Sequence, residues 1–121
     1  MTPVPNIFDF RPQIEAALRH SGGTHEFEDV VEGVRAGRMQ MWANGPSVAI
    51  TEIVVYPRKR MLNVFLAGGR RAELLGMLDD AARWGRAQGC AGMSMAGRRG
   101  WLRVLDKRGF RPTLTVMEMT L

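Results

Sequence analysis

Four groups of residues in this 121-residue chain have a type and setting that suit chemistry. The first is a lone carboxylate. In the run Ser47 to Tyr56, rich in β-branched residues, a two-residue period puts Val48, Ile50, Glu52, Val54 and Tyr56 on one face of a strand. An acid among apolar neighbours has the makings of a general base. The same acid paired with an arginine, or bordering an open cleft, is structural. The second group is Gly68-Gly69-Arg70-Arg71-Ala72, between a strand and a helix. Glycines that open the backbone, two arginines and a helix N-terminus suit an anion. A plain strand-to-helix turn with solvated arginines accounts for the same residues, and Glu73 places a carboxylate where a phosphate would sit.

The third group is basic: Arg98, Arg99, Arg103, Lys107, Arg108 and Arg111. Arg103 and Lys107 share one helix face, so a basic edge is expected that could meet nucleic acid, a phosphate-bearing ligand or an acidic protein. No exposed aromatics interleave with it, which speaks against specific nucleic-acid recognition, and Asp106 partly neutralises it. The fourth group is His20, His25 and Cys90, which assemble into neither a metal site nor a nucleophilic triad. The histidines read as surface or capping residues and Cys90 as a small buried hydrophobe. Met39/Met41, Met93/Met95 and Met117/Met119 are each spaced i, i+2. They read as adaptable core filling, with a soft surface for a partner chain as the alternative. Trp42, Trp84 and Trp101 read as core or half-buried anchors.

The chain that must position these residues is the size of one domain, with 45% apolar residues. Its 17 basic residues exceed its 12 acidic ones. Counted along the sequence, residues 1–60 are neutral and residues 61–121 carry the whole net charge of +5. Arginine dominates the basic residues, which GC-rich coding explains as readily as nucleic-acid binding does. One cysteine excludes an internal disulfide framework. The first residues lack the pattern of a signal peptide, and no apolar run is long enough to span a membrane.

Periodicity and turn residues then set the expected elements. Val4 to Phe10 reads as an extended arm or edge strand, limited by Pro3 and Pro5. A helix follows from Pro12 to Ser21-Gly22-Gly23, and a second from a Thr24 cap through Phe27, Val30, Val31 and Val34 to Gly37. Arg38–Ala43, Ser47–Tyr56 and Met61–Ala67 form an antiparallel meander. A long helix to about Gln88 presents Leu74, Leu75, Leu78, Ala81, Ala82 and Gly85. Strand Cys90–Ala96, helix Trp101–Arg108 and strand Phe110–Leu121 complete the chain. A strand, crossover helix and strand make the third and fourth strands of the main sheet parallel neighbours.

This order of elements, with Gly100-Trp101, a short helix and Lys107-Arg108-Gly109-Phe110 before a final strand, resembles the GNAT superfamily of acetyl-CoA-dependent N-acetyltransferases over nearly the whole chain. The resemblance implies a mixed, mainly antiparallel α/β (α+β) sheet flanked by helices in a single domain, residues 1–121, with residues 1–8 as arm or edge strand. It also implies an acetyl-CoA pyrophosphate loop of pattern Gln/Arg-x-x-Gly-x-Gly/Ala at the start of the long helix. Aligned from Ala67, only Ala72 fits; Ala67 replaces Gln/Arg and Arg70 replaces glycine. The tyrosine acid that such enzymes often carry on the last helix is missing, for Tyr56 is the only tyrosine.

Thr51-Glu52-Ile53, Tyr56-Pro57-Arg58, Leu66-Ala67-Gly68-Gly69 and Gly97-Arg98-x-Gly100-Trp101 are also similar to small GNAT-like proteins of tailed bacteriophages and prophages. The resemblance thus implies two readings, and the basic charge alone suggests a third. In the leading one, a phage-type GNAT-fold protein with lost or reduced acetyl transfer serves as a virion or assembly component, with phage structural proteins as partners. It would be found in the cytoplasm of the bacterial host or in the virion. In the second, an active N-acetyltransferase holds acetyl-CoA at Gly68, Gly69, Arg70, Arg71 and Ala72 and uses Glu52 as base. In the third, a basic module binds nucleic acid through Arg98, Arg99, Arg103, Lys107 and Arg108. No metal and no membrane enter any of them.

Overall fold

The computed structural model describes residues 5–121. The expected arm lies partly outside that range. Where the chain is described, Ile7–Phe10 is a 3-10 turn instead of a strand. The Asn6 carboxamide accepts the Phe8 N–H at 3.0 Å and so supplies the local bond that an edge strand would have sought from the sheet. Helix α1 spans Arg11–Leu18 with Pro12 in its first turn, where a missing N–H costs nothing. Helix α2 spans Phe27–Arg35. Its cap is Glu26, not Thr24: Glu26 and Asp29 form a reciprocal capping box, with the Glu26 N–H donating to Asp29 at 2.8 Å. The Thr24 hydroxyl instead lies 2.6 Å from His25 Nδ1 and 3.2 Å from the Ser21 carbonyl.

Strands β1 (Met39–Asn44), β2 (Ser47–Val55) and β3 (Arg60–Gly68) form the antiparallel meander, and β4 (Cys90–Met95) lies parallel to β3. The strand order is β1-β2-β3-β4. Helix α3 (Arg71–Ala87) makes the crossover, and α4 (Gly100–Asp106) follows β4. Helices α1 and α2 cover one face of the sheet, where Ile14, Phe27, Val30, Val48, Ile50 and Leu66 share a buried cluster. Helices α3 and α4 cover the other, packing Leu74 and Met77 on Ala49, and Leu78 and Leu105 on Val64. Mainly antiparallel pairing with helices on both faces is the mixed single-sheet architecture expected from the sequence.

The final expected strand does not form among the described residues. Residues 110–121 join no ladder, although Phe110 packs beside Leu105. Gly109, at φ +88, ends α4 in the left-handed conformation that glycine accepts without strain. Leu114, Val116, Met117, Met119 and Leu121 are exposed beyond it. The third methionine pair is therefore not core filling, whereas Met39 and Met41 pack against the α1/α2 cluster and Met93 and Met95 against the α3/α4 side.

Candidate active site

The site begins where the two parallel strands part. Ile50 pairs with Leu66 and Thr51 with Val64, so Phe65 has no partner in β2 and forms a bulge. A bulge adds one residue to one strand and bends it locally. The β3 ladder with β4 runs from Arg60–Cys90 to Val64–Met95 and stops there. Past that point β3 continues as Phe65–Gly68 while the other chain turns through Ala96–Arg99 into α4. The opening leads to a cleft of about 390 Å³ lined by Gly69, Arg71, Arg98, Gly100 and Trp101.

Helix α3 starts at this cleft, and one serine governs how. The wholly buried Ser47 hydroxyl accepts the Arg70 N–H at 2.8 Å and donates to a Glu73 carboxylate oxygen at 2.7 Å. Glu73 is thereby held toward Ser47 and the β1–β2 turn, and no side chain caps the helix N-terminus. The carboxylate that should oppose a phosphate is tied to Ser47 and is not among the residues that line the cleft. The helix dipole and the leading N–H groups of a 17-residue helix then act beside Arg71.

Gly69 is sterically required, and Gly68 is tightly packed. Gly69 has φ +133, and a Cβ there would overlap the Ser47 side chain. A Cβ on Gly68 would lie 3.0 Å from the Gln13 carbonyl of α1. Close packing thus explains Gly68-Gly69 in its own right, and the same compactness brings the α3 N-terminus to the cleft.

Directly below the parting, a polar row crosses the α1/α2 face. Asn63 donates its side-chain N–H to Glu52 at 3.3 Å, and the Ser94 hydroxyl donates to the Asn63 carbonyl oxygen at 3.3 Å. These three residues are register partners across β2, β3 and β4, one position before the last β3–β4 pair. Glu52 shares its face with buried Val48 and Ile50, as the two-residue period requires, and is half-buried. It also lines a second cleft of about 450 Å³ with Thr24, His25, Asp29, Glu32, Gly33, Arg38 and Met39. Glu52 and the Gly68–Ala72 turn therefore occupy different places, the lower α1/α2 face and the upper end of the parting.

Other sequence candidates are placed elsewhere. Tyr56 lies past the end of β2 and is exposed, far along the strand from the Ser47 end that meets α3. The His25 ring stacks obliquely on Phe65 at 4.5 Å between centroids. Cys90 is half-buried, not fully buried. Of the basic cluster, Arg98 lines the upper cleft, but Arg108 is engaged by Asp79 at 2.8 Å and by the Leu75 carbonyl at 3.4 Å. Among the described residues no group of three His, Cys, Asp or Glu is arranged for a metal, and no helix is long and apolar enough to cross a membrane. Ser47, Asn63 and Ser94 escape sequence reasoning because their roles depend on cross-strand register and on a turn more than twenty residues away.

This arrangement of a meander, a crossover helix and a parallel strand is the fold of solved acetyltransferase structures. Solved structures share it over almost their full length. A Trypanosoma brucei acetyltransferase is similar with TM-score 0.69 and 14% identity, covering 98% of this chain and 97% of that one. A predicted acetyltransferase with acetyl-CoA from Clostridium acetobutylicum has TM-score 0.71 and 12% identity, over 96% and 92% of the two chains. A ribosomal-protein-alanine N-acetyltransferase from Brucella melitensis biovar Abortus has TM-score 0.69 and 8% identity, over 95% and 93%. No protein-family model matches the sequence. No curated protein matches it either.

Proposed function

We propose that the chain binds acetyl-CoA in the upper cleft and transfers its acetyl group to an amine, more slowly than an enzyme with a dedicated acid on α4. The observation that carries this reading is the parting of β3 from β4 at a helix N-terminus whose own carboxylate is tied back by Ser47. A pyrophosphate fits that positive end, flanked by Arg71 and Arg98. The cofactor's amide groups suit the β3 edge from Phe65 to Gly68, which has outrun β4. Its thioester would then reach the level of the Glu52–Asn63–Ser94 row.

There the amine nitrogen attacks the thioester carbonyl, the C–S bond breaks and CoA leaves as thiolate. The proton lost by the amine passes to Glu52, directly or through water. A thiol of ordinary pKa near 8.5 needs little help to leave as its anion, so a missing tyrosine slows the reaction without abolishing it. The acceptor amine would approach through the lower cleft beside Glu52.

Thermal unfolding with and without acetyl-CoA tests the binding. At a hundredfold excess over Kd the cofactor stabilises the fold by about 2.7 kcal/mol. In a domain of this size that raises Tm on the order of ten degrees. An unchanged Tm at millimolar acetyl-CoA overturns the proposal. Glu52→Gln, which keeps the Asn63 contact, should lower turnover about a hundredfold while leaving the acetyl-CoA shift intact.

The reading as a phage particle or assembly component that has lost transfer draws on Arg70 at the pattern's glycine position, Ala67 in place of Gln/Arg, and an α4 without tyrosine. It expects no acetyl-CoA shift and co-purification with particles, so the same measurement separates the two.

A further inference from the structure

The strand that failed to form leaves two unmatched surfaces. One is the outer edge of β4, the last strand in the sheet order. Its residues, Cys90 to Met95, include no proline and no charge, the usual devices that protect an edge from pairing. The other is the C-terminal segment. After Pro112 it reads Thr-Leu-Thr-Val-Met-Glu-Met-Thr-Leu, dense in β-branched and long apolar residues, with no glycine and one charge. Val116, the most sheltered of its large apolar residues, is still 73% exposed.

The area involved is that of an interface. The accessible surface of 8876 Å² exceeds by roughly 2,000 Å² what a compact monomer of 13.5 kDa presents. A stable protein–protein interface buries about 1,600 Å² in total. Leu114, Val116, Met117, Met119 and Leu121, all exposed on one segment, mark a contact yet to be made.

We infer that the C-terminal segment is exchanged between two copies of this chain, residues 113–121 of each adding a strand to the β4 edge of the other. The root of the segment is already fixed beside β4. Phe110 packs with Leu105, near Met93 and Met95, while Arg108 is bound to Asp79 on α3. A segment that leaves one β4 edge and pairs with the same edge of a second copy generates a two-fold, self-closing arrangement. Main-chain hydrogen bonds supply the pairing. Alternation does the rest. With Met117, Met119 and Leu121 on one face of the added strand, they can extend the Met93 and Met95 surface of the α3/α4 side. Leu114, Val116, Glu118 and Thr120 then face the α1/α2 side. Each copy thereby gives up one exposed segment and covers one bare edge.

Light scattering at micromolar protein tests the inference on the full chain. The mass expected is twice 13.5 kDa. A chain ending at Pro112 should run as a monomer. So should Val116→Pro, which removes a ladder donor from the middle of the added strand but touches no core residue. Both should keep the helical circular dichroism and cooperative unfolding of a folded domain. A full-length chain that is monomeric overturns the inference, including the case in which the segment folds back on its own β4. A dimer that persists in both variants overturns it as well, since another surface would then hold the copies together. Because neither variant alters the upper cleft, acetyl-CoA binding should survive in both.

Discussion

Against α1 and α2 the sheet buries Val48, Ile50 and Leu66 in one cluster with Phe10, Ile14, Leu18, Phe27, Val30 and Val31, whereas against α3 and α4 its buried residues split into two smaller groups. One group surrounds Ala49 and the other Val64, and both are bordered by half-buried side chains, Trp42, Trp101, Met93 and Met95 among them. The difference separates two tasks. Continuous burial fixes the frame, with the Glu52 cleft opening only beyond the edge of that cluster, and the divided side carries the cleft between the starts of α3 and α4, where the cofactor is proposed to sit. Water-accessible breaks in a core cost stability, and a ligand site needs such breaks.

The sharpest test of that contrast is a cavity on the continuous side. Ile50 is fully buried, and Ile50→Ala should lose about 2–5 kcal/mol. Thermal denaturation should register a fall in Tm on the order of 10–20 °C. If the variant unfolds within a few degrees of the parent, the α1/α2 side is not the frame and the comparison fails.

Next in size is an effect on binding that leaves the fold alone. Arg71 and Arg98 stand exposed on the divided side, so replacing both with alanine should hardly change Tm. Each charge-assisted hydrogen bond to phosphate contributes about 1.5–3 kcal/mol. Acetyl-CoA affinity by titration calorimetry should therefore fall tenfold or more, and more steeply at low salt. An unchanged affinity would move the anion away from the α3 N-terminus.

Ser47 joins the two tasks, because it is buried under the turn yet sets the helix that faces the cleft. Ser47→Ala leaves the Arg70 N–H without its acceptor and frees Glu73. The loss should be about 1–3 kcal/mol, read by denaturant unfolding. Glu73, no longer held, is then available to the helix N-terminus, so acetyl-CoA should also bind more weakly. A stability loss with unaltered binding would show that the serine serves the turn alone.

Much of this arrangement was legible in the sequence, and the exceptions have physical causes. The meander, the crossover and the parallel β3–β4 pair followed from strand periodicity and loop lengths, which act locally. The face assignment of Glu52 beside Val48 and Ile50 followed from the same period. The bulge at Phe65 left no mark in the pattern, since an added residue in a strand looks like any other apolar residue. Nor could Glu73 be read correctly. Its position in the first turn set it against a phosphate, but Ser47, remote in sequence, holds it elsewhere. The Thr24 cap lost to Glu26 and Asp29 because a reciprocal pair satisfies two N–H groups and a threonine only one. Phe110–Leu121 has the composition of a strand and no ladder partner among the described residues, for strand propensity describes fitness to pair and not the whereabouts of the partner.

The smallest effect probes how forgiving the divided side is. Met95 is half-buried on the α3/α4 face beside Val64, Leu78 and Leu105, at the last β3–β4 pair. Leucine has nearly the same volume but fewer rotatable bonds, and such swaps cost less than about 1.5 kcal/mol. If this side is filled by adaptable side chains, Met95→Leu should fall near the bottom of that range, a shift of a few degrees at most in Tm. A loss comparable to that of Ile50→Ala would mean that Met95 is locked in place and that the two sides of the sheet are equally exacting. The position also borders the parting of the strands. Should the swap leave Tm unchanged yet weaken acetyl-CoA binding, the methionine would be shaping the cleft wall, which sharpens the division between a side that holds the fold and a side that adjusts to a ligand.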